Sequence, residues 1–164
     1  LYLLTAPVSP PPHPLGESSM LDLLRQARER FDYVLIDSPA GLGPGFRLAV
    51  CGADRAIVVA VSDPSSLRDA QRVVTQLSQL ETIHLVVNRV RPRLLRRQNT
   101  TIDDAMDTAG LPLLGLVPED PKVVLAATEG RPLAQLGARR GAVRAYENIA
   151  RRLTGQPVPL MGLR

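Results

Sequence analysis

The 164 residues are enough for one domain with a sizeable core, and with aromatics at 3% and no tryptophan that core must be aliphatic. The charge of +4 is spread along the chain rather than clustered with aromatics, which argues against nucleic-acid binding, and Lys122 is the single lysine. The lone Cys51 excludes an internal disulfide framework and suits a reducing cytosol, and with only His13 and His84 beside it a zinc site is improbable.

In chain order, Leu1–Ala6 reads as a short apolar strand, followed by a loop built on Pro7, Pro10, Pro11, Pro12 and Pro14. Ser18 or Ser19 can cap a helix carrying Met20, Leu23, Leu24 and Ala27 at helical spacing. Phe31–Ile36 is the next predicted strand, Phe46–Cys51 a short helix, and Ala56–Val61 a continuous β-branched strand. Ser62-Asp63-Pro64 opens a helix with Leu67, Ala70, Val73, Val74 and Leu77 on one face. Ile83–Val87 is a buried strand that ends at Asn88, and a basic loop, RVRPRLLRRQNT, leads to a capped helix over Ile102–Ala109. Leu111–Val117 is another strand, PEDPKVVLAATEG turns into a helix stopped by Gly130, and a last amphipathic helix covers Ala138–Leu153.

Strands that are apolar throughout and alternate with helices predict an α/β fold with a mostly parallel sheet covered by helices on both faces. Ligands on such a sheet bind beyond the carboxyl ends of the strands, so the residues directly after each strand carry the information. Asp37 follows one strand and precedes Ser38-Pro39-Ala40-Gly41, with further glycines at 43 and 45. A carboxylate there can hold Mg²⁺ through water while a mobile turn faces a phosphate, although an acid at a strand end is also a common cap. Asn88 offers a side-chain amide that can read a purine edge or serve as a turn residue. Pro118-Glu119-Asp120 opens a helix with a good dipole complement, which by itself says only that the helix is well capped.

In combination these segments carry a resemblance. FDYVLIDSPAGLGPGF, GADRAIVVAVSDPSSLRDAQRVV, LVVNRVRP and LLGLVPEDPKVVLAATEGRPLA resemble, in order and spacing, the MinD septum-site-determining ATPases of the ParA/MinD deviant Walker A family. The resemblance covers nearly all of the chain from Glu17 onward and implies a P-loop NTPase-like fold as a single domain over 1–164. It implies that Asp37 is the Walker B acid supporting Mg²⁺, with Ser38–Gly41 beginning the second switch. Asn88 with Arg89 matches the position that contacts the adenine of ATP, and Pro118, Glu119 and Asp120 match the loop walling the base. The helix opening PSSLRDAQR, with Ser66, Arg68 and Asp69, resembles the surface used for the homodimer and for MinC- and MinE-like partners. The implied location is cytoplasmic, the intact protein being peripheral on the inner face of the cell membrane.

Two departures from the family follow. The K-G-G-x-G-K-T loop that wraps the phosphates is not in this sequence, and Leu1–Ala6 matches a strand well inside the family. The expectation is therefore an N-terminally incomplete chain that lacks the first strand, the P-loop and the first switch. Such a chain should hydrolyse ATP poorly and leave strand edges unpaired. At the other end VPLMGLR is too short and proline-broken for a membrane-binding amphipathic helix. Two alternatives stand beside the ATPase: a non-catalytic partner-binding paralogue, and another ParA/MinD-group ATPase of flagellar number or chromosome partition.

Overall fold

A computed structural model describes residues 1–5, 9, 15–136 and 140–162. They form two compact units, Leu1–Asp54 and Arg55–Arg164. Among the described residues, no helix is long and apolar enough to cross a membrane.

The first unit holds α1, Glu17–Arg28, and α2, Pro44–Val50. Ser18 and Ser19 do not cap α1; Gly16 does, and the serines lie in the first turn. Leu24 is buried against Gly52, where any side chain would come within 2.7 Å of the leucine's Cδ1. The Arg28 guanidinium donates to the Gly52 carbonyl and to Asp54, each at 2.7 Å, and clasps the end of α1 to the segment after α2. Among the described residues, two predicted strands do not form. Leu1–Thr5 and Phe31–Ile36 carry no ladder, with Ala6 outside the described residues. An apolar run becomes a strand only when a neighbour accepts its backbone hydrogen bonds. Here Leu35 stays 86% exposed, and the Tyr2 ring lies 5.3 Å from that of Phe31.

The second unit is a three-stranded parallel sheet in the order β1 (Arg55–Val61), β2 (Thr82–Val90), β3 (Leu113–Pro118). Arg55 aligns with Thr82 and Val61 with Asn88, so β1 and β2 run in register along all of β1. α3, Pro64–Thr75, and α5, Ile102–Ala109, pack on each other and on one face of β1 and β2, burying Leu67, Ala70, Ala105 and Ala109. The other face carries α7, Gly141–Leu153, where Ala142 and Ala145 pack with Val86, Leu114 and Val117. Gly115 of β3 has no side chain because Ile149 of α7 occupies the space a Cβ would need. α7 covers β3 but not β1: Val59, the register partner of Val86 on that face, is 60% exposed. A strand apolar on both sides thus has one side bare.

Several predicted boundaries move. β2 does not end at Val87 but continues through Asn88 to Val90. The basic segment after it is not a loop: Pro92–Gln98 forms α4, with Pro92 in its first turn and Asn99 at φ 50° closing its end. Pro92 at a helix start costs no hydrogen bond, and the Leu-Leu-Arg-Arg-Gln run that follows favours helix. α6 covers Pro121–Thr128, ended by Gly130 at φ 60°. A single 3-10 turn, Leu133–Leu136, follows it. The last helix starts at Gly141 rather than Ala138, which with Arg139 lies outside the described residues.

Candidate functional site at the carboxyl ends of β2 and β3

The end of β2 is built by an irregularity. The ladder with β3 shifts register between Val87 and Val90. Within that shift Arg89 adopts φ 52°, a left-handed conformation that arginine seldom takes. The Asn88 Oδ1 accepts the Arg89 backbone N–H at 2.9 Å and so supports the turn from its own side chain. This is the behaviour of a β-bulge: one extra residue that re-aims the side chains around it. After the bulge Val90 resumes pairing with Pro118, and the Glu119 N–H donates to the Val90 carbonyl at 3.0 Å.

Glu119 is held by two arginines. Arg91 reaches it through both Nε and Nη2, the latter 2.7 Å from Oε1, and Arg89 Nη2 lies 3.3 Å from the same oxygen. Hydrogen bonding from Arg91, with that cation's charge, holds the Glu119 carboxyl below the usual range, and the same pairing raises Arg91. Asp120 is engaged on both oxygens as well. Its Oδ1 caps α6 by accepting the Lys122 N–H at 3.0 Å, and its Oδ2 accepts the Ala142 N–H at the start of α7 at 3.2 Å.

The structure brings Asn88, Arg89, Pro118, Glu119 and Asp120 together, but the two acids face protein groups. The side chain left available is the half-buried Asn88 amide, whose Nδ2 makes no hydrogen bond among the described residues. Sequence reasoning missed Arg91 and the start of α7. The Arg-Val-Arg alternation leaving the strand was the available signal for Arg91; nothing local marked Ala142 as a partner of Asp120.

Asp37 and Gly41 belong to the other compact unit. Asp37 is exposed and makes no hydrogen bond or ion pair among the described residues. The turn after it depends on Gly41 at φ 84°, and it folds closely enough that the Pro39 ring would lie 2.7 Å from any Cβ on Gly45. One exposed carboxylate before a glycine turn suits a cation held through water. Among the described residues, no group of three or more His, Cys, Asp or Glu could grip a bare metal ion.

On α3, Asp63 caps the helix through the Ser65 and Ser66 N–H groups, and hydrogen bonding, first from the Ser65 hydroxyl, lowers its pKa. Ser66 turns inward, its Oγ accepting the Val61 N–H at 3.1 Å. Arg68 is exposed, and Asp69 pairs with Arg72 at 3.2 Å. A cavity of about 200 Å³ lies at the opposite end of the sheet, lined by Arg55, His84 and Leu113 among others. Its Arg152 is already spent on the Leu114 and Val158 carbonyls. That end of a parallel sheet is not where ligands bind.

No protein-family model matches the chain. It is 39% identical over 167 residues to the septum site-determining protein MinD of Bacillus subtilis, spanning 99% of this chain and 62% of that protein. To MinD of Synechocystis it is 37% identical over 98% of this chain and 62% of the relative. The chain thus spans less than two thirds of the length of these relatives. Among solved structures, MinD of Aquifex aeolicus superposes with a TM-score of 0.84 at 31% identity, covering 90% of this chain and 64% of that one. The MinC:MinD complex of the same organism matches equally well, with 62% of that chain covered. A Pyrococcus horikoshii MinD complexed with Mg-ADP matches at TM-score 0.72 and 25% identity, covering 84% of this chain and 56% of that one.

Proposed function

We propose that this chain, a homologue of the MinD septum site-determining proteins, acts in division-site placement by binding ATP with Mg²⁺ and recruiting a division inhibitor to the membrane. The bulge at Arg89 carries the reading. It sets the Asn88 amide and the Pro118–Asp120 segment side by side at the carboxyl end of the sheet, which supports a base site there. The residues fit the base in part: the Nδ2 of Asn88 can donate to a ring nitrogen and Pro118 can wall a ring face. Glu119 and Asp120 fix that wall rather than touch the base. Asp37 fits Mg²⁺ held through water, and bound Mg²⁺ would supply charge neutralisation for the phosphates.

For the phosphates themselves this sequence has little to offer. It holds one lysine and no Gly-x-Gly-Lys stretch, so the charge stabilisation on which phosphoryl transfer relies is weak and turnover by this chain should be slow or nil. Partner binding is assigned to the outer side of α3, where Arg68 and Asp69 are exposed; Ser66, turned inward, supports that surface rather than forming it. The MinC:MinD complex among the structural neighbours supports a MinC-like partner. A second reading, a non-catalytic partner-binding protein, draws on the same exposed pair together with the weak phosphate chemistry.

Calorimetric titration of the chain with Mg-ATP and Mg-GTP, alongside Asn88→Ala, tests the nucleotide reading. ATP should bind in preference to GTP, and the substitution should weaken ATP by about tenfold, the worth of one well-placed hydrogen bond. Equal binding of both nucleotides, or an inert Asn88→Ala, overturns it. If ATP binding is nil while a MinC-like protein still co-elutes, the second reading stands.

A further inference from the structure

We infer that Arg91 is a positioning residue for the base wall: its guanidinium, locked on Glu119, holds the Pro118–Asp120 segment against the end of β2 beside Asn88. The inference rests on the nucleotide reading above. Arg91 is well placed for this because its backbone is itself fixed. It is the N-cap of α4, its carbonyl accepts the Leu94 and Leu95 N–H groups, and Pro92 restricts it to extended φ and ψ. From that anchored position its fork spans both oxygens of Glu119, a planar two-point contact a lysine cannot reproduce. Arg89 supplies a second cation to the same carboxylate from inside the bulge.

The consequence is mechanical linkage between three pieces of chain. The start of α4, the bulge that supports Asn88 and the strand-to-helix segment after β3 meet at one carboxylate. That carboxylate also belongs to the residue whose N–H closes the ladder on Val90. Exposed ion pairs contribute little to global stability, so the purpose of such a pair is geometry. Asp120, one residue on, ties the far side of the same segment to α7. The base wall is thus pinned at both ends, by Arg91 on one side and by the α7 N-terminus on the other.

The test uses the full 164-residue chain and two readouts, amide hydrogen exchange and affinity for adenosine, a probe that needs no phosphate contacts. In Arg91→Ala the Glu119 amide should exchange at least tenfold faster, while the Leu85 and Val86 amides in the β2 ladder keep their protection. Adenosine should bind about five- to tenfold more weakly. Arg91→Lys should resemble Arg91→Ala, since an ammonium cannot span both carboxylate oxygens. An unchanged Glu119 amide in Arg91→Ala overturns the inference, as does adenosine affinity indifferent to the substitution in a chain that binds adenosine. Wild-type protein that binds no adenosine overturns the nucleotide reading itself and this inference with it, and the two failures are told apart by that one control.

Discussion

The carboxylate of Asp120 accepts the backbone N–H of Ala142 at 3.2 Å while capping its own helix through Lys122 at 3.0 Å. One side chain therefore neutralises the amino ends of α6 and α7, two helix dipoles that point at the same acid. Gly141 sits at φ 60° with Asp120 Oδ2 in the place of its missing Cβ, so the approach of helix to acid depends on a glycine.

Asp120→Ala should remove both caps at once. Each is worth about 1 kcal/mol, so a loss of roughly 2 kcal/mol is expected in urea unfolding. Gly141→Ala should cost a comparable amount, about 1 kcal/mol from left-handed strain with the steric clash added. The double variant should lose less than the sum, since the clash disappears with the acid. Additive losses would show that the two residues do not act on each other.

Acid should weaken the fold through three carboxylates held below their usual range. Asp63 is stabilised by the Ser65 hydroxyl, Asp104 by the Thr101 N–H in a capping box, and Glu119 by Arg91. Each is depressed in the folded state, so the unfolded chain takes up protons first as pH falls. Their contribution is complete above about pH 5 and is lost progressively as pH falls through the ordinary carboxylate value of about 4 toward the depressed folded values. Tm recorded between pH 7 and 3 should be flat to about pH 5 and then fall. Asp104→Asn should lower Tm at pH 7 and make the acid decline shallower; an unaltered slope would assign the acid sensitivity elsewhere.

Gly115→Val places a branched side chain where Ile149 now lies and should cost about 1–3 kcal/mol by overpacking. Adding Ile149→Ala should restore part of the loss, because the volume removed from α7 accommodates the volume added to β3. A midpoint in guanidinium that does not recover would mean that β3, not the helix contact, is what valine disturbs.

β1 should promote self-association. Its Val59 is 60% and its Ile57 39% exposed, and β1 is an edge strand with no proline or lysine along it. Unprotected apolar edges template pairing with other chains. Sedimentation velocity at increasing concentration should show species heavier than a monomer, and Val59→Lys should shift the distribution toward the monomer. A wild-type chain that sediments as a monomer throughout removes this expectation.

How far the sequence could be read divides along one physical line. β1, β2 and β3 were legible because each apolar run lies beside another and completes a ladder. Tyr33–Ile36 has the same composition and forms no strand, since pairing is a property of two segments and composition of one. The segment of α4 reads as a loop because proline and arginine density masks a helix that Pro92 starts. At the site, Asn88 stands out only together with its neighbouring segments, because an amide at a strand end also serves as a turn residue, and here its Oδ1 supports the turn. The bulge that directs it does not stand out, because the residue in the left-handed conformation is an arginine where a reader looks for glycine. Asp120 reads as a helix cap and caps α6, but the partner of its other oxygen, Ala142, lies 22 residues away, beyond any local pattern.

Gly115 and Asp120 also make α7 a ruler. Two turns of helix, about 10 Å at the usual rise of roughly 1.5 Å per residue, separate Ala142 on the acid from Ile149 on the glycine. Both marks must be met together, so the spacing between them is calibrated against the length of β3. One residue inserted between 142 and 149 would turn Ile149 about 100° away from its glycine while the cap stayed in place. The same insertion before Gly141 would leave both marks aligned. Length variation is therefore permitted ahead of α7 and forbidden within its first two turns.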